Sequence, residues 1–208
     1  MTATVDEIEL VEGRLRLVRD GAGRADLAAA TAAAESFLRA LGLDPHRPGL
    51  ADTAGRMARA YAELFTPEPF TLTTFPNDEV YDELVLARGI PFRSVCEHHL
   101  LPFVGVAHVG YLPGERIVGL SKLARVVRAC AAAPQVQERL TCQVADLLDE
   151  RLAPHGVGVV LDAEHLCMSV RGVQAAGTRT RTSVLRGALR DDARTRAEFL
   201  TLTAAPTP

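Results

Sequence analysis

Cys96-Glu97-His98-His99 sets a thiol, a carboxylate and two imidazoles at consecutive positions, the densest reactive cluster in the chain. Cys96 and His99 have the C-x-x-H spacing that lets one turn present a thiolate and an imidazole to the same ion. Far downstream, His165 and Cys167 form H-x-C in a segment whose pattern predicts extended backbone. Residues two apart on a strand share a face, so both can reach one site. Two cysteines with one of the histidines make a Cys2His set, suited to Zn2+. Three protein ligands leave a position for water, the mark of a catalytic zinc, and the remaining histidines are then available for proton transfer. The competing account is of scattered core residues, or of a Cys96–Cys167 disulfide. A C-x-x-H alone says little; the distant H-x-C tips the reading to zinc and leaves the assignment of ligands open.

Gly119-Leu120-Ser121-Lys122-Leu123-Ala124-Arg125 is the second constellation. On a helix Ser121, Lys122 and Arg125 share a face near the N-terminus, which is a phosphate site in outline. The ordinary alternative is a solvated polar face. Lys122 is the only lysine among 23 basic residues, and that tips the reading towards phosphate. Gln135, Gln137, Glu138 and Arg139 open the following helix. Glu138 reads either as a helix-dipole partner or as a carboxylate for a substrate N–H pair. Arg171 reads as a salt-bridged strand residue or as another anion contact. Cys130 and Cys142 fall where helical packing wants small apolar groups, and both read as core.

The elements that position these residues follow from periodicity. Ala25 to Leu43 carries Leu27, Ala34, Phe37, Leu38 and Leu41 at helical spacing and ends at Gly42. Asp52 or Thr53 caps a second helix, with Met57, Tyr61, Leu64 and Phe65 on one face, ended by Pro67 and Pro69. Val80–Leu86 and Val104–Tyr111 read as strands, followed by a turn at Leu112-Pro113-Gly114-Glu115. Leu120–Cys130 reads as a helix with Leu120, Leu123, Val127 and Cys130 inward. Pro134 suits the first turn of the next helix, whose stripe is Val136, Leu140, Val144, Leu147 and Leu148. Gly156–Val173 reads as a long extended segment, bulged near Asp162–Glu164, and Thr178–Leu189 as a further strand. Helices, strand pair, helix pair, strand pair is an α+β order with an antiparallel sheet. Residues 1–24 read as a polar leader, 25–78 as a helical region and 79–208 as the catalytic domain.

Composition is that of a globular chain: 208 residues, 48% hydrophobic, 24% charged. No apolar run approaches the ~20 residues that span a bilayer, and the acidic N-terminus lacks a secretion signal, so a cytoplasmic protein without a membrane partner is expected. A net charge of −3 argues against a nucleic-acid partner held by bulk positive field. No G-x-G-x-x-G or G-x-x-x-x-G-K-[ST] loop is present, so Rossmann and P-loop chemistry have no support.

Taken together, Ser94-Val95-Cys96-Glu97-His98-His99-Leu100, Gly119-Leu120-Ser121-Lys122, Pro134 to Thr141, His165-Leu166-Cys167-Met168 and Arg171-Gly172-Val173 resemble GTP cyclohydrolase I. The similarity runs from about Leu43 to Leu202 with the order and spacing kept. It implies a zinc enzyme of the tunnelling fold, with two helices packed on an antiparallel sheet, assembled as a toroidal homodecamer with sites at subunit interfaces. Such enzymes open the imidazole ring of GTP at C8, release formate, rearrange the ribose and close 7,8-dihydroneopterin triphosphate, the first step of pterin and folate biosynthesis. The resemblance implies Cys96, His99 and Cys167 as zinc ligands, and His98 and His165 as proton shuttles. Gln137 would hold the guanine or an intermediate, and Glu138 would anchor guanine through its amino edge. Ser121, Lys122, Arg125 and Arg171 would bind the triphosphate, with Ser121 also assisting the rearrangement.

Two departures stand out: Ala131-Ala132-Ala133, where basic residues are common, and Arg186, where an apolar or small residue is expected before Gly187. Competing readings are a paralogue running the same reaction for a 7-deazapurine or other secondary pathway, and a non-catalytic GTP-binding regulatory oligomer. The pairing of His98 with His165 argues against the latter. A tunnelling-fold nitrile reductase would need a cysteine nucleophile and a nicotinamide site, which fit these motifs less well than zinc does.

Overall fold

The computed structural model describes residues 25–204 in full and the backbone of residues 7–11 and 14–18. In the stretch read as a polar leader, Glu7–Val11 (β1) and Arg14–Val18 (β2) pair as a two-stranded sheet. Of the residues described in full, those up to Thr66 form one compact unit and those from Pro67 a second.

The first unit holds Leu27–Ala40 (α1) and Thr53–Leu64 (α2). The α1 sequence is rich in alanine, the best helix former. The Asp26 carboxylate caps it, accepting from the amides of Ala28 (3.0 Å) and Ala29 (2.9 Å). Gly42, at φ +77°, takes the left-handed position that ends it. Asp52 precedes α2 as expected but makes no cap bond; its carboxylate pairs with Arg56 at 3.6 Å.

In the second unit Thr74–Pro76 (β3) pairs with Arg116–Val118 (β6), a ribbon the sequence reading did not contain. The main sheet is built from Val85–Cys96 (β4), Pro102–Leu112 (β5), Pro134–Gln135 (β7), Gly156–His165 (β8) and Arg179–Gly187 (β9), in the order β7-β4-β5-β8-β9. Every pairing is antiparallel except β4 with β7. Leu120–Ala131 (α3) and Gln137–Leu152 (α4) are the expected helix pair. Leu166–Ser169 (α5), Ala188–Asp191 (α6) and Ala193–Ala204 (α7) complete the chain. The architecture is α+β, as the motif order predicts.

Strand parity sorts the two faces. Phe103, Ala107, Val109 and Tyr111 of β5 and Val157, Val159, Leu161 and Ala163 of β8 join Leu123, Val127, Cys130, Leu140, Val144 and Leu148 in one buried cluster. Each large apolar side chain fully removed from water there contributes about 1.5–3 kcal/mol. Val160, Leu189 and Phe199 form a smaller cluster with Leu84, Leu86, Leu112 and Leu185. A Cβ on Gly110 or Gly158 would stand 3.0 or 2.7 Å from the Phe199 ring, so glycine is needed at both for α7 to lie down.

Several expectations are corrected. The strand read at Val80–Leu86 begins at Val85 and runs to Cys96; Val80 sits at φ +52° before it. Leu120, expected inward, is 69% exposed, because at the first position of α3 it precedes the buried stripe. Pro134 is not in the first turn of α4 but in β7, where it pairs with Val95. The extended reading of Gly156–Val173 holds only to His165; Cys167 lies in the single turn of α5. The last strand stops at Gly187, whose φ of +54° and the 2.3 Å from its would-be Cβ to the His155 carbonyl leave room for no side chain. Cys130 is fully buried, and burial pushes its thiol up to about 12; Cys142 is only half-buried.

Candidate metal centre and active site

β4 ends at Cys96 because the chain must turn there to enter β5. Leu100 N–H bonds back to the Cys96 carbonyl at 2.8 Å, and Cys96 N–H bonds to Leu101 O at 2.9 Å. Leu100 is left at φ +53°, a conformation L-residues adopt at a cost. This turn exposes His98 and His99 and keeps Cys96 6% exposed. The helical turn after β8 brings Cys167, 9% exposed, to the same place. Ligand atoms of Cys96, His99 and Cys167 lie within 4.8 Å of one another, so this group can hold a metal ion.

The donor set fits a borderline-soft cation. Burial pushes the Cys167 thiol up, and the neighbouring Cys96 sulfur adds to the shift. A divalent ion removes that penalty by taking both sulfurs as thiolates. Arg171 NH1 lies 3.4 Å from His99 Nε2, which brings the guanidinium beside the metal group. His99 Nδ1 is the nitrogen 3.9 Å from Cys96 Sγ. His98 Nδ1 lies 3.8 Å from the same sulfur.

His165 is the last residue of β8 and, in register with Phe103, stacks on its ring at 4.5 Å and 5°. Its Nε2 is 2.8 Å from Gln137 Oε1. Gln137, first residue of α4 and 1% exposed, donates its amide to Thr180 O (2.9 Å), Leu161 O (3.4 Å) and Thr182 Oγ1 (3.1 Å). Main-chain carbonyls only accept, so the Gln137 amide is oriented and its oxygen must face His165. Nε2 of His165 therefore carries hydrogen, and in the neutral ring Nδ1 is left with the free lone pair. Burial lowers the His165 pKa and keeps the ring neutral; the Glu138 carboxylate pulls weakly the other way. Glu138 is exposed in the first turn of α4, consistent with either of its two sequence readings.

Arg171 sits on the loop between α5 and β9. Glu164 Oε1 closes that loop by accepting from Ser169 Oγ (2.6 Å) and Gly177 N–H (3.3 Å). Ser121, Lys122 and Arg125 stand at the start of α3, Ser121 and Arg125 exposed. Among the described residues their side chains have no hydrogen-bond or ion-pair partner. Metal-group geometry and direct contacts thus link Cys96, His98, His99, Cys167 and Arg171, with His165, two residues before Cys167, and its partner Gln137.

Sequence reasoning named Gln135 and Arg139 without giving them a role, and missed the supporting residues Glu164 and Thr182. Arg139 stands four residues after Gln135, and its Nε donates to Gln135 Oε1 at 3.0 Å, a helical spacing legible in advance. Glu164 acts within its own loop, and Thr182 meets Gln137 from 45 residues away, with no local signal.

Comparison with known proteins agrees with this geometry. A family model described as GTP cyclohydrolase I matches residues 30–204. The chain is 55% identical over 182 residues to the "GTP cyclohydrolase 1" of Mycobacteroides abscessus, spanning 85% of this chain and 89% of that protein. Against the protein of the same name from Mycobacterium ulcerans it is 54% identical over 178 residues, 83% of this chain and 88% of that one. The Aquifex aeolicus "GTP cyclohydrolase 1" is 52% identical over 166 residues, 80% of this chain and 90% of that one.

Proposed function

This chain belongs to the GTP cyclohydrolase I family, and on that premise we propose that it opens the imidazole ring of GTP at C8, releases formate and closes 7,8-dihydroneopterin triphosphate. The carrying observation is the Cys96–His99–Cys167 group with two further histidines beside it.

In this reading the ion is zinc, held by Cys96, His99 and Cys167. The chemistry zinc supplies when bound is a water acidified to a pKa of ~7, nucleophilic enough for a purine carbon. His165, fixed by Gln137 with Nδ1 free to exchange, passes a proton at ring opening, and His98 is the second shuttle. Gln137 serves by orienting His165 rather than by touching guanine, since its amide is already committed to the chain. Glu138 accepts from the guanine amino edge. Arg171 meets phosphate beside the metal centre, and Ser121, Lys122 and Arg125 supply the remaining anion contacts, with Ser121 assisting the rearrangement. That these three side chains have no polar partner among the described residues is in keeping with a site completed by a second copy in a toroidal, decameric assembly. Thiol ligands and free cysteines suit a reducing, cytoplasmic setting, and the product suits pterin and folate biosynthesis.

The test is incubation with GTP, following formate and oxidised-pterin fluorescence with and without a chelator. Formate and pterin that vanish on chelation and return with Zn2+ are expected. GTP bound with its purine intact would overturn the enzyme reading in favour of a regulatory oligomer. Formate without pterin would remove the role given to Ser121.

A further inference from the structure

The first turn of α4 grips both halves of the metal centre. On one side Gln137 holds His165, two residues before Cys167. On the other, Arg139 reaches the turn that carries Cys96, His98 and His99. One guanidinium nitrogen donates to Glu97 Oε2 and to the Pro134 carbonyl (3.0 Å), while Nε donates to Gln135 Oε1. Gln135 is itself anchored: its amide donates to Cys130 O (2.9 Å) and Gln143 Oε1 (2.7 Å), and its own carbonyl accepts from Glu97 N–H (3.1 Å). Glu97 is thus tied at both backbone and side chain to the strand and helix that lead into the site.

From this we infer that Arg139, acting through Glu97, is a positioning residue for the metal centre. It sets the Cys96–His99 turn at the right separation from Cys167. The turn needs an outside hold, because Leu100 at φ +53° gives it a backbone cost that its internal hydrogen bonds must offset. An arginine fork meets carboxylate, amide oxygen and carbonyl in one plane, which lysine cannot reproduce. Outer contacts that orient metal-bearing segments are worth about 10–100-fold in metal affinity.

The inference rests on the reading of Cys96, His99 and Cys167 as metal ligands, and the experiment separates the two. The full-length protein is loaded with Co2+, whose thiolate charge-transfer band reports the centre, and the ion is titrated off with a chelator. Wild type is compared with E97Q, R139Q, R139K and the E97Q/R139Q double variant, with thermal melting of each metal-free chain alongside. About tenfold weaker Co2+ binding is expected in E97Q and R139Q, partial recovery in R139K, and a double variant no worse than R139Q. E97Q removes the charge at a half-exposed position, so it guards against a folding failure of R139Q. Variants that melt lower but hold Co2+ as wild type does would reduce Arg139 to an ordinary structural arginine. A wild type without the charge-transfer band would refute the metal reading itself.

Discussion

At the scale of single residues, the site turns on which atoms can give hydrogen and which can only accept. The two carbonyls facing the Gln137 amide decide the hydrogen position on His165 without any ligand in place. Gln137→Met keeps the side-chain volume but loses the oxygen that holds Nε2–H. The expected result is turnover of GTP lower by about 10²-fold, in the range ascribed to a positioned acid–base group, with GTP binding little changed. Measuring kcat and equilibrium nucleotide binding separately checks this; a loss confined to binding would return Gln137 to the role of guanine contact. Arg186, a departure from the family pattern, also has a local account: it donates from Nε and NH2 to Asp146 Oδ1 at 3.1 and 2.9 Å, tying β9 to α4. Ala131 and Ala133, the other departure, offer their carbonyls to the buried Ser94 hydroxyl.

At the scale of elements, β8 carries different chemistry on alternate residues. His165 joins the face that packs on α3 and α4, while Asp162 takes the other and binds Arg179 and Arg181 of β9. Burial raises the Asp162 pKa, but its hydrogen bonds to the two guanidinium groups more than offset this, and the net shift is downward. A carboxyl held below its unfolded value stabilises the fold above that value and loses the effect as pH falls through the folded one. Asp162→Asn is expected to cost about 1 kcal/mol at neutral pH, kept small by the exposure of both arginines. Denaturant titrations of wild type and variant should converge as the pH drops below about 4. A gap that persists in acid would place the stabilisation in packing instead. Gly105 marks how closely β5 and β8 approach below the site: a Cβ there would be 2.1 Å from the Asp162 carbonyl.

At the scale of the whole molecule, the question is how the α3 cluster meets the metal centre. If the site is completed by a second copy, chains with different lesions can repair each other. Mixing K122A chains with H165A chains, under conditions that exchange subunits, is expected to restore formate release above either parent. K122A alone should raise the KM for GTP, and H165A alone should lower kcat. Light scattering of the unmixed protein gives the assembly size. Mixed oligomers with no recovered activity would place the whole site within one chain.

The motifs were legible because ligand chemistry restricts residue type at short spacing: a thiol and an imidazole three apart, taken with a histidine and a cysteine two apart, point to a group that could hold one ion. The α3 and α4 stripes were equally readable, since helical burial repeats within a few residues, whereas in α1 only Leu38 of the stripe is buried and Leu27, Phe37 and Leu41 are exposed. What the sequence left open came from partners far along the chain. H-x-C was read on a strand, but Cys167 reaches Cys96 and His99 from a single helical turn, because a strand pair and a helical turn can both bring a cysteine to one place. Pro134 looked like a helix start until β4 offered it a strand partner. α7 had no strong stripe to announce it, and its anchor is one phenylalanine against two glycines on neighbouring strands. The hydrogen on His165 and the grip of Arg139 on Glu97 depend on donors and acceptors set 28 and 42 residues apart, a pairing that only the folded sheet brings within bonding distance.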